Sequence, residues 1–185
     1  HLLSLKDQDL SDHLEELVEA GVSSSKIEGR LKEAKKKKNI TAFYRKKLDT
    51  ILEGRTDVKR ASAGKTTFFF EPNPDKSFGR GATDYFLNGR KPNISQPETP
   101  KSIGEEIGQV TYISGQFIEI KTYKEIHNGD GLSFFAKNGT LSGFRVNRVD
   151  GRKIFPAEMP VIERNTVVYR NQDHEFDKIL AGKTS

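Results

Sequence analysis

Apolar and polar positions follow two different rhythms along this chain, and the rhythm changes near its middle. Leu2-Leu3-Ser4-Leu5 is a short apolar run, long enough for a buried strand, and Lys6-Asp7-Gln8-Asp9 ends it. Leu10, Leu14, Leu17 and Val18 then fall on one face at helical spacing. Asp9 or Ser11 can cap that helix, Glu15 or Glu16 places favourable charge in its early turns, and Gly21 supplies a left-handed stop. Val22 to Ile27 predicts a second strand, with Glu28-Gly29-Arg30 as its polar exit. A longer helix is predicted from about Leu31 to Leu52, closed by Gly54. Ile40, Phe43, Tyr44, Leu48, Ile51 and Leu52 form its apolar stripe.

Strand, helix, strand, helix with short connections is the pattern of a parallel α/β unit. Parallel strands need cover on both faces and neighbours on both edges. Two such units cannot stand alone, so residues 1–60 are expected to be the end of a larger α/β barrel or sheet. Functional side chains in such architectures gather at the carboxyl ends of the strands. That places Lys6 and Asp7 beside Glu28 and Arg30 as candidate site residues. These opposite charges either pair with one another or orient an anionic substrate and its proton donor. Lys26 alternates with Ile27 and is expected to point into the barrel, where it would contact substrate. One feature breaks the pattern. Extending the stripe of the second helix backwards lands on Lys36 and Lys37, inside the run Lys35-Lys36-Lys37-Lys38. Burying an unpaired ammonium costs several kcal/mol, as an order-of-magnitude figure. A surface altered after partners were removed is the preferred explanation, over a face that is solvent-exposed by nature. Ser25, standing where a strand would carry a large apolar side chain, fits the same explanation.

Residues 61–100 read as a connecting segment rich in Gly, Pro, Ser and Thr. Its Gly64-Lys65-Thr66 resembles the end of a phosphate-binding loop, but Lys59 replaces the first glycine and no helix opens after it. Phe68-Phe69-Phe70 is expected to plug a core between the two parts, and Tyr85 and Phe86 to pack over a turn capped by Asp84. From residue 101 the period becomes two. Ile107 to Ile113 and Gln116 to Tyr123 alternate around Ser114-Gly115, as a hairpin should. Leu132 to Ala136, Phe144 to Val149, Lys153 to Phe155 and Val167 to Tyr169 continue the series, separated by Gly-containing turns. A capped helix from about Asp173 to Leu180 ends it. The fold class is therefore α+β, a partial parallel βαβα unit followed by a small antiparallel β-barrel over 101–185. Small barrels of this kind bind nucleic acid or polypeptide across an open face. Arg145, Arg148 and Tyr169, together with Phe144, are the candidate substrate contacts. Phe117, Phe134 and Phe135 are expected in the core.

Composition narrows the choice of chemistry. With no Cys among 185 residues there is no disulfide, thiol nucleophile or thiolate metal site in this chain. His1, His13, His127 and His174 share no metal-ligand spacing, and no metal site is predicted. No Ser-His-Asp or paired-Glu arrangement is evident. No apolar run approaches a membrane span, and the N-terminus lacks signal-peptide character, so a cytoplasmic location is expected. Net charge is +5, unevenly spread: residues 1–25 carry one Lys against six acids, and residues 26–47 carry ten Lys or Arg against two. Such a basic block either attracts phosphates or is a solvated helix face. A start on His1 rather than Met points to an excised or processed piece.

Several blocks are specific enough to carry a family resemblance. His1-Leu2-Leu3-Ser4-Leu5-Lys6-Asp7, Lys26-Ile27-Glu28-Gly29-Arg30 and Lys38-Asn39-Ile40-Thr41-Ala42-Phe43-Tyr44-Arg45 resemble the collagenase-like peptidase family U-32. So do Arg80-Gly81-Ala82-Thr83-Asp84-Tyr85-Phe86 and Asn128-Gly129-Asp130-Gly131-Leu132. Within the family the chain is similar to the branch that hydroxylates a cytidine of large-subunit ribosomal RNA. The resemblance implies an N-terminal α/β barrel followed by β-rich accessory domains. It also implies a cysteine-rich, iron–sulfur-binding segment upstream of His1, which this chain would join as a non-catalytic fragment. Three roles follow. The chain contributes RNA binding to an RNA-modifying enzyme, or docks collagen-like polypeptide for a protease, or serves as a structural or dimerisation domain.

Overall fold

The computed structural model describes residues 5–29, 33–77, 81–90, 92, 94 and 102–182. Near the N-terminus, β1 (Asp7–Gln8) leads through a 3₁₀ turn (Ser11–His13) into α1 (Leu14–Glu19). The stop at Gly21 follows from its backbone, with φ 85° and the bonding of a Schellman motif. Gly21 N–H donates to the Val18 carbonyl at 3.0 Å and Val22 N–H to the Leu17 carbonyl at 3.0 Å.

Beyond Gly21 the expected second strand is not formed. Val22 to Ile27 is exposed and joins no sheet among the described residues, and Lys26 has its side chain 80% exposed. A parallel strand gains its hydrogen bonds only from neighbours, so the apolar pattern alone cannot hold it in a sheet. Instead β1 pairs in parallel with β2 (Ala82–Thr83), Asp7 opposite Ala82 and Gln8 opposite Thr83. The run Leu2 to Ser4 lies outside the described residues, and Leu5 is 40% exposed.

The long helix α2 (Ala34–Leu52) ends just before Gly54, which takes φ 81°. Its buried line differs from the apolar stripe. Asn39 and Ala42 are its most buried residues, while Ile40, Phe43, Leu48 and Ile51 are half-covered. Asn39 is fully satisfied: Nδ2 donates to the Asn73 carbonyl and to Ser77 Oγ, each at 2.6 Å, and Oδ1 accepts from Asn73 N–H at 2.9 Å. The lysine run is also partnered rather than stranded. Lys36 Nζ donates to Asp7 Oδ2 at 3.0 Å, and Lys35 lies 3.7 Å from Asp177. Lys38 donates to the carbonyls of Leu180 (3.1 Å) and Gly182 (3.2 Å). Cations at positions 35, 36 and 38 therefore have a structural use, and an altered surface is not needed to explain them.

Six antiparallel strands follow: β3 (Glu105–Ile113), β4 (Ile118–Lys121), β5 (Gly131–Phe135), β6 (Leu141–Asp150), β7 (Lys153–Pro156) and β8 (Val167–Gln172). They pair in the order β3-β4-β7-β6-β5-β8, and β8 returns to β3, giving a closed barrel with no free edge. Alternation sends Ile107, Val110, Ile118, Ile120, Leu132, Val146, Ile154 and Val168 into one core. Gly104 sits where β3 begins against β8, and a Cβ there would collide with the Arg170 carbonyl. The last element, α3 (His174–Ala181), is capped by Asp173, whose Oδ1 accepts from Phe176 N–H at 3.0 Å. Phe70 packs edge-on against Phe176 at 6.0 Å, whereas Phe69, expected in the same plug, is 76% exposed.

Candidate nucleic-acid interface

Strand alternation also builds the outer face of the barrel. Ile118 and Ile154 are opposite one another and point inward, so Phe117, just before β4, and Phe155, on β7, point outward. Phe117 is therefore not a core residue, and Phe134 is. Tyr112 lies diagonal to Phe117 across the β3–β4 pair, and Arg148 lies opposite Phe155 across the β6–β7 pair. The rings form a row, Tyr112 to Phe117 at 5.8 Å and Phe117 to Phe155 at 5.6 Å between centroids. Two cations cover it: the Arg148 guanidinium sits 4.0 Å from the Phe155 centroid, and Lys153 Nζ sits 4.9 Å from that of Phe117. Glu119, opposite both Tyr112 and Lys153, is the acid that accompanies them. Such a row sets positive charge over apolar rings, an arrangement that can meet phosphates and can stack bases on the ring faces the cations leave open or yield.

The other predicted residues are distributed differently. Arg145 is exposed on β6 and makes no side-chain hydrogen bond or ion pair among the described residues. Tyr169 stands on β8, opposite Glu106 of the neighbouring β3, and lies edge-on to Phe135 at 6.2 Å. Asp7 meets Lys36, the Lys6 carbonyl accepts from Tyr85 Oη at 3.1 Å, and Glu28 pairs with Lys26 at 2.6 Å. Arg30 lies outside the described residues. Since Val22 to Ile27 forms no strand, Lys6 and Asp7 do not share a sheet with Glu28, and the geometry that suggested a strand-end site is not present. Sequence reasoning missed Lys153, Tyr112 and Phe155. Their signal lay in the alternation about Ile118 and Ile154.

A second cluster of charge lies inside one end of the barrel. Arg170 on β8 faces inward and is register-paired with Glu105 on β3. Its Nε donates to Glu105 Oε1 at 3.0 Å and its Nη1 to the Glu125 carbonyl at 2.7 Å. Asp130 Oδ2 is 3.4 Å from Nη1, and Asp173 Oδ2 is 3.5 Å from Nη2. Lys124 reaches Glu105 at 2.8 Å and Lys76 reaches Asp173 at 2.7 Å. Burial raises the pKa of Glu105, but the Lys124 and Arg170 contacts outweigh it and hold the carboxyl below its ordinary range. Asp173 behaves alike: burial raises it, and Lys76, the Phe176 N–H and Arg170 bring it below the ordinary value. Arg170 shows the mirror image, with burial working against the cation and its carboxylate partners prevailing.

His127, Asp130 and Asp173 bring potential metal-ligand atoms within 4.8 Å of one another. The residues do not fit a metal. Asp130 already accepts from the His127 and His174 N–H groups at 3.0 and 2.9 Å, and Asp173 caps α3 while holding Lys76. A cation there would share its carboxylates with Arg170 and Lys76, whose charges repel it. The buried Nδ1 of His127, which has no hydrogen-bond partner, does not change that balance. Nor do this chain's residues fit an iron–sulfur cluster, since none of them is Cys. No helix among the described residues is long and apolar enough to cross a membrane.

Comparison with known proteins gives the arrangement a context. Across its whole length the chain is 42% identical to the 23S rRNA 5-hydroxycytidine C2501 synthase of Escherichia coli (strain K12), of which it covers 29%. Over 59 residues, 32% of the chain, it is 39% identical to the tRNA hydroxylation protein P2 of Bacillus subtilis (strain 168), of which that match covers 19%. The matched residues thus cover less than a third of the length of either relative. No solved structure matches. The sequence profile of peptidase family U32 matches residues 1–97, more than half of the 185, and the chain belongs to that family.

Proposed function

We propose that this chain takes part in RNA modification, specifically nucleotide hydroxylation, and that its barrel engages the RNA. This divides the chain into an N-terminal part (1–60), a connecting segment (61–100) that the family match largely includes, and an RNA-engaging unit (101–185). One observation carries it: the Tyr112–Phe117–Phe155 row with Arg148 and Lys153 over its rings. Identity to the ribosomal RNA hydroxycytidine synthase extends through the barrel as well as the N-terminal part, which supports assigning the row to RNA. A single strand would lay unpaired bases on the rings while its phosphates meet the two cations. Nothing among the described residues favours a collagen-like polypeptide.

The test is a titration of the chain with fluorescently labelled single-stranded RNA at several salt concentrations. Affinity is expected to fall as salt rises, because phosphate neutralisation releases counterions. Arg148→Gln should lower the slope of log K against log salt by about 0.7, the single-strand value for one phosphate contact. Phe155→Ala should weaken binding by about tenfold through lost stacking. Undetectable binding, or binding indifferent to salt, would overturn the reading.

A further inference from the structure

The outer face that carries the aromatic row continues toward one end of the barrel. Extending the β4–β7 register beyond Glu119 opposite Lys153 puts Lys121 opposite Gly151, next to Arg152 in the tight turn. Both side chains are exposed and form no hydrogen bond or ion pair among the described residues. They line a cavity of about 690 Å³ whose walls include the rims of β4 and β7 and the segment after β4. Its lining also includes Val149 and the barrel-end core residues Ile120 and Ile154, which make its inner side apolar. Tyr123, fully exposed, stands in its wall with no ring contact to any described residue. Lys124, also in the wall, is already engaged by Glu105, and Glu125 is the acid that lines the cavity, its side chain 91% exposed.

A leftover pair of cations beside an open aromatic ring and an apolar inner side matches one ligand chemistry closely. The cations suit a phosphate, the ring suits a planar base, and the volume lies in the range of small-ligand sites. We propose that this cavity takes one unpaired nucleotide of the RNA strand, its phosphate between Lys121 and Arg152 and its base on Tyr123. The inference rests on the reading of the barrel as an RNA-engaging unit and deepens it. The strand would run from the aromatic row past Lys153 to Lys121 and Arg152, so that the cavity holds the nucleotide at one end of the bound segment.

Two sets of variants separate the two readings. The probe is a labelled single-stranded oligocytidine of about ten nucleotides, within the span one small barrel covers. Lys121→Ala combined with Arg152→Ala should lower the salt slope by about 0.7, and Tyr123→Ala should weaken binding by about tenfold. The three positions are exposed, so far-ultraviolet circular dichroism and the thermal midpoint should match the parent chain. If these variants bind as the parent does while Arg148→Gln and Phe155→Ala lose affinity, the cavity inference falls and the barrel face stands. If the parent chain binds no RNA at all, both fall. Equal binding of the fully paired duplex, or displacement of the RNA-sized signal by polyglutamate alone, would also overturn the cavity assignment.

Discussion

The barrel and the N-terminal part of this chain solve burial in opposite ways. In the barrel each strand has two hydrogen-bonded neighbours within the same 70 or so residues, and eight aliphatic side chains fill the interior. In the N-terminal part the best-buried side chains of α2 are an asparagine and an alanine, and its first turns are tied down by lysines. Alternation with local partners specifies a register by itself. Helices beside a two-residue parallel ladder specify one only through particular polar contacts, each reaching far along the sequence. The first design tolerates loss of a single contact on its surface and not in its interior. The second is exposed to the loss of any one of a few polar anchors.

That contrast can be broken most forcefully at Arg170. Arg170→Met should cost about 3–5 kcal/mol in chemical denaturation, because Glu105, Asp130 and Asp173 would be left buried without their shared cation. Acid probes the same cluster. The carboxyls of Glu105 and Asp173 are held below their ordinary pKa, so their stabilisation is present above the unfolded-state range. It is lost as pH falls through the folded values, and the thermal midpoint should drop there. The deficit of Arg170→Met should narrow over the same interval, since protonated carboxyls no longer need a counter-charge.

Matched truncations sharpen the comparison at the next level. Ile118→Ala in the barrel core should cost about 3 kcal/mol, and Ile40→Ala on the half-covered stripe of α2 about 1 kcal/mol. Equal costs would erase the distinction drawn between the two regions. Asn39→Ala should cost about 1–3 kcal/mol, because the Asn73 N–H and carbonyl and the Ser77 hydroxyl lose their common partner. The smallest effect is expected at Lys26. Its pair with Glu28 is solvent-exposed, and Lys26→Ala should leave the denaturation midpoint unchanged.

The same contrast explains what could be read from the sequence. The period-two stretches located all six barrel strands, and Asp173 and Gly21 marked helix ends through chemistry confined to a few residues. Val22 to Ile27 is apolar only at its two ends, around Ser23-Ser24-Ser25-Lys26, and no strand forms there. Lys36 looked misplaced because its partner, Asp7, is 29 positions away. Arg170 and Glu105 are 65 apart, beyond the reach of any local rule. Phe117 was legible in principle: once Ile118 is assigned inward, its neighbour must face out. Reading Phe117 as core hid the surface row.

Entry and exit of the barrel lie side by side. Glu105, in the first strand, is the register partner of Arg170, in the last. The polypeptide therefore enters and leaves the ring about one interstrand spacing apart, roughly 5 Å. A module with adjacent portals can be spliced into the loop of a host protein without prising that loop open. The ionic clasp between the portals then acts as a staple, keeping strain in the host from unzipping the ring at its seam.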